Sequence, residues 1–136
     1  MKRISACRFG FLLAVPFLAG SCGGDDGPIG PTNTIKEGQI QVWVDDVPAN
    51  AEAVSLRIVG DWIGNLALLG SGYSYYSADS QEGKRVIVLG PLSSGALLSF
   101  RVPDISKILS YDVQVAALAA SDYSLLSPSS ITFSLK

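Results

Sequence analysis

Apolar and polar positions alternate along most of this chain. Ile40, Val42 and Val44 interleave with Gln39, Gln41 and Trp43, and Val54, Leu56 and Ile58 interleave with Ser55 and Arg57. Tyr73 and Tyr75 flank Ser74, and Lys84 to Leu89 is a short β-branched run ended by Gly90-Pro91. Ala96, Leu98, Phe100 and Val102 alternate with Ser99 and Arg101 up to Pro103. Tyr111, Val113, Val115 and Ala117 alternate with Asp112 and Gln114, and Ile131, Phe133 and Leu135 with Thr132 and Ser134. Period two, bounded by Gly, Pro, Asp and Ser, marks half-buried strands. The pattern predicts an all-β fold, an antiparallel two-sheet sandwich of seven strands over residues 39–136, or eight if Asp61 to Leu69 adds one. Asp104 to Leu109 suits one helical turn capped by Asp104, and no 3.6-residue period competes. The alternating sets hold about 20 apolar side chains; at roughly 1.5–3 kcal/mol each when fully buried, they can offset the ordering cost of a small domain.

The N-terminus has a different pattern. Lys2, Arg3 and Arg8 precede an apolar run from Phe9 to Ala19, broken only by Gly10 and Pro16. That run is about 11 residues, whereas a helix crossing the bilayer needs about 20, so an export signal over 1–21 fits better than an uncleaved anchor. Leu18-Ala19-Gly20-Ser21-Cys22 then sets small residues directly before a cysteine. This segment resembles the lipobox of bacterial lipoproteins. The resemblance implies cleavage before Cys22 by signal peptidase II, a diacylglycerol on its thiol and an acylated amino group. With Cys7 lost in the leader, Cys22 is the one cysteine left, so the mature chain forms no internal disulfide. Two or three acyl chains hold a protein to a bilayer without help from protein–lipid contacts.

Residues 22–38 read as the lipidated cysteine and a Gly/Pro-rich tether, about 20–25 Å from end to end as a flexible coil. Asp25 and Asp26 resemble an acidic surface-export signal found in some bacterial groups; a solvated tether accounts for them more simply. Gly23 is not the Asp that resembles an inner-membrane retention signal, so the outer membrane is favoured if the host has two.

The 136 residues leave room for one domain after the leader. Loss of Lys2, Arg3 and Arg8 from 10 basic against 12 acidic residues leaves seven against twelve, a formal charge of −5. That balance gives no electrostatic reason to bind nucleic acid.

Across 39–136 the strand rhythm is similar to that of immunoglobulin-like sandwiches, and more loosely to cohesin and carbohydrate-binding-module sandwiches. Gly95 to Asp104 resembles a core strand of cohesin-like domains. The Cys…Trp…Cys framework of antibody domains is absent, so the resemblance implies a fold and no site residues.

The chain has no histidine. Ser-His-Asp and Cys-His catalysis, His-ligated zinc and His general bases are therefore excluded. No G-x-S-x-G, Walker A or G-x-G-x-x-G motif occurs, and Gly70-Ser71-Gly72 reads as a lone turn. Asp45, Asp46, Asp61, Asp79, Glu82, Asp104, Asp112 and Asp122 are the carboxylates from which a hydrolase pair at ~5–10 Å would be drawn. Most sit at strand ends, where Asp is ordinary turn chemistry. Asp45-Asp46 or a neighbouring loop is where clustered oxygens would suit calcium, but no EF-hand-type loop is present and no metal site is expected. Trp62, Tyr73, Tyr75 and Tyr76 cluster within fifteen residues among glycines. Exposed, they would stack on sugar or anchor a protein; half-buried, they would belong to the core.

The sequence thus leads to the expectation of a non-enzymatic, cofactor-free lipoprotein of the cell envelope. Its membrane anchor is Cys22, and its sandwich serves as a structural or interaction module for an envelope protein. Carbohydrate binding through Trp62 to Tyr76 is the alternative, and a carboxylate-only hydrolase is a third reading.

Overall fold

In a computed structural model, residues 34–61 and 63–136 are described. The leader, Cys22 and Trp62 lie outside the described residues. Among the described residues, nine strands form two antiparallel sheets packed as a sandwich. They are β1 (Gly38–Asp46), β2 (Ala51–Val59), β3 (Gly64–Leu68), β4 (Ser74–Ser80), β5 (Gly83–Leu89), β6 (Gly95–Val102), β7 (Asp112–Ala120), β8 (Leu125–Leu126) and β9 (Thr132–Leu135). One sheet has the order β3-β6-β1-β9 and the other β4-β5-β2-β7-β8. All seven alternating runs are strands, Gly64–Leu68 supplies the eighth, and the two-residue β8 carries no readable period.

The inward sets meet as predicted. Ile40, Val42, Val44, Leu98, Phe100 and Val102 from one sheet pack on Val54, Leu56, Ile58, Val86, Val88 and Leu118 from the other. Phe100 is completely buried, and its ring lies 5.8 Å from that of Tyr111. The Tyr111 ring in turn lies so close to Gly60 that a Cβ there would come within 2.2 Å of it.

Bulges change which residues face inward. The β1–β6 register shifts between Val42 and Trp43, so Leu97 is an extra residue and Leu97, Leu98, Ser99 and Phe100 are buried in succession. The β2–β7 register shifts between Ser55 and Leu56, opposite Ala116. Period two therefore changes phase within β7. Ala117, expected inward from its alternation with Val113 and Val115, is exposed, while Leu118 and Ala120 are buried.

Ile105–Ser110 forms the expected helical turn, of 3₁₀ type, with the Asp104 side chain accepting from Ser106 N. This turn sits where the chain enters the sandwich. Ile105 N donates to Lys36 O, and the Ile105 side chain lies over Gly38. The turn after Asp46, and the start of β2, lie at the opposite end of the sandwich.

Candidate functional site

The clustered tyrosines do not form one platform. Successive residues of a strand project to opposite faces. Tyr75 is paired with Val88 and faces inward, whereas Tyr76 is paired with Ile87 and faces outward. Tyr73 is half-buried against the core, and its Oη lies 3.1 Å from Ser93 Oγ. Tyr75 Oη donates to the carbonyl of Leu66 at 3.2 Å. β3 and β4 are each one edge strand of their sheets, so this bond ties the two layers together along one side. Tyr75 and Tyr76 are more exposed than half-core packing requires, Tyr76 at 67%.

Five of the candidate carboxylates are engaged in local structure. Asp79 pairs with Lys84 at 2.7 Å, and Glu82 pairs with Arg57. Asp112 accepts from Val113 N and Gln114 Nε2. The Asp104 carboxylate accepts from Ser106 Oγ at 2.7 Å, and that of Asp122 from Ser124 Oγ at 2.6 Å. These hydroxyl bonds, supported by the Ser106 and Ser124 amides, hold both carboxyls below their ordinary value of 3.8. Asp45 and Asp46 are exposed at the end of β1. Asp61 and Asp79 do line one open depression of about 380 Å³, with Gly60, Ile63, Gln81 and Lys84. There Asp79 is held by a lysine rather than by a second acid. Among the described residues, no group of three or more His, Cys, Asp or Glu side chains is placed to hold a metal ion.

The surface that stands out is the outer face of the five-stranded sheet. Paired residues in an antiparallel ladder project to the same side, so the register defines rows across the sheet. The first row runs Ser74, Leu89, Ala53, Ala119, Leu125. The second runs Tyr76, Ile87, Ser55, Ala117. The third, Ala78, Arg85, Arg57, Gln114, and the fourth, Ser80, Gly83, Val59, Asp112, carry the charge. Half of the face is thus apolar and half polar.

In the apolar half, small residues form a floor between larger walls. A trough of about 110 Å³ runs over Ala53, Ser55, Ala117 and Ala119, with Ile87 at its side. Ile87 is 39% exposed, Leu89 38% and Leu125 81%. A solvent-facing sheet face ordinarily carries polar side chains, and contiguous exposed apolar surface marks contact sites. Tyr76 was legible in the sequence as a candidate. Ile87, Leu89 and Leu125 were not, because only the register aligns them with the alanines of β2 and β7.

The chain matches no family model, no curated protein and no solved structure.

Proposed function

We propose that this chain is a lipid-anchored envelope protein whose sandwich docks a protein partner on the outer face of its five-stranded sheet. The observation that carries the docking role is the half-apolar face, with its shallow floor of small residues and its Tyr76, Ile87, Leu89 and Leu125 walls. Small floors let a partner approach closely, and aromatic and aliphatic walls supply buried area at the contact. The apolar rows lie toward the start of β2, away from the end at which the chain enters at Gly38.

The anchor rests on Leu18 to Cys22 and the short apolar run before them. A protein partner is favoured over glycan because Tyr75 and Tyr76 project to opposite faces and Tyr75 already bonds Leu66. Stacking on sugar needs rings presented together.

Two measurements test the reading. A palmitate analogue fed to the cells is expected to label the wild type and miss Cys22→Ala; equal labelling of both overturns the anchor. Wild type is expected to migrate within a larger assembly in mild detergent extracts, and an Ile87→Asp/Leu89→Asp variant to remain labelled and folded but to migrate outside it. An unchanged assembly overturns docking on this face.

A further inference from the structure

We infer that β4 is a self-pairing edge, joining two copies of this chain in antiparallel fashion through Ser74–Ser80. An edge strand exposes a row of unpaired backbone donors and acceptors, which proteins ordinarily guard by shortness, bulges, lysine or proline. The other edges are guarded in this way. β3 has five residues and a register shift between Gly64 and Leu66, β9 has four residues, and β8 has two. The length of β7 that β8 does not cover carries the irregularity at Ala116.

β4 has none of these guards. It runs seven residues without a register shift, contains neither Lys nor Pro, and is exposed at every position. Its one charge, Asp79, is matched within the same copy by Lys84 at 2.7 Å.

The segment Ser-Tyr-Tyr-Ser-Ala-Asp-Ser is also complementary to itself. A two-fold axis through Ser77 sets Tyr76 against Ala78 of the second copy, large against small, on the outer face. It sets Tyr75 against Asp79 and Ser74 against Ser80, so no like charges meet. A two-fold contact needs such self-complementarity. The axis stands perpendicular to the sheet, so the troughs of both copies open on the same side of a continuous ten-stranded sheet.

One ladder of seven residues buries far less than the roughly 800 Å² per partner of a stable dimer. The pairing is therefore weak and is best read by covalent trapping. On the axis the two Ser77 Cα atoms lie about 4.5–5.5 Å apart, within the disulfide range. The two Ser74 Cα atoms lie about 20 Å apart. Ser77→Cys and Ser74→Cys are introduced singly into the full chain and exposed to a mild oxidant. Ser77→Cys is expected to form at least about tenfold more disulfide dimer than Ser74→Cys. A mixture of Ser74→Cys and Ser80→Cys chains is expected to form the mixed dimer. Equal dimer from Ser77→Cys and Ser74→Cys, as random collision or bonding through Cys22 would give, overturns the proposal, as does the absence of dimer. Trapping with palmitate labelling lost sinks the anchor alone, so the two readings fail separately.

Discussion

At the scale of single residues, the structure depends on a few backbone positions and short polar contacts. Gly83 opens β5 with φ +136°, and a Cβ there would lie 2.0 Å from Ile58 O. Gly83→Ala should cost roughly 1–3 kcal/mol from the dihedral alone, with a further loss as β2 and β5 separate. Thermal unfolding would register this as a clear fall in Tm. Tyr123 is the converse case, a non-glycine at φ +66° whose side chain is almost fully exposed. Tyr123→Asn should raise stability by a few tenths of a kcal/mol to about 1 kcal/mol, because Asn tolerates the left-handed region better than an aromatic residue. Asp104 and Asp122 titrate below 3.8 because the Ser106 and Ser124 hydroxyls and amides favour their charged forms. A depressed folded-state value means that the stabilising contribution is complete above 3.8 and is lost as pH falls below it. Denaturation followed through that range should therefore be steeper for wild type than for Asp104→Asn/Asp122→Asn.

At the scale of elements, the core is held by central strands and phased by bulges. Phe100 lies between the sheets with no exposed surface, and Phe100→Ala should cost about 3–5 kcal/mol. The bulge at Ala116 makes a more specific prediction. Deleting Ala116 removes the extra residue and leaves simple alternation, with Val115 and Leu118 still inward and Ala117 still outward. The variant is expected to keep the dispersed amide spectrum of the folded chain, whereas deleting Arg57 from the regular β2–β5 ladder, which turns part of β2 to the wrong face, should lose it. The Tyr75–Leu66 bond acts between elements of different sheets. Tyr75→Phe should loosen the β3–β4 side by about 0.5–1.5 kcal/mol, seen as faster amide exchange in β3 and β4.

At the scale of the whole molecule, charge and apolar surface are segregated. Arg57, Arg85 and Glu82 gather toward one end of the outer face, and the apolar rows occupy the other. The open β4 edge adjoins both halves through Tyr76 and Ala78. Placing like charges on the axis with Ser77→Lys should leave Tm nearly unchanged, since an exposed edge position contributes little to folding. The same change should abolish trapping in a Ser77→Lys chain that also carries Ser74→Cys, mixed with a Ser77→Lys chain carrying Ser80→Cys. Monomeric domains joined in this way would offer a partner two troughs instead of one, which strengthens binding through multivalency.

The sequence determined the class of fold and much of the core. Alternation in β1 and β9, in β2 from Val54 and in β6 from Leu98 named the inward side chains directly, because the pleat repeats every two residues and one face of each sheet is dry. It also marked the Asp104 cap, since capping is a local interaction. What only the tertiary structure decided was the phase of β7, the burial of Leu97, and the assembly of Ile87, Leu89 and Leu125 into one surface with Tyr76. Those depend on which strands lie side by side and where a bulge admits an extra residue. Such pairings join positions far apart along the chain, and no local period records them.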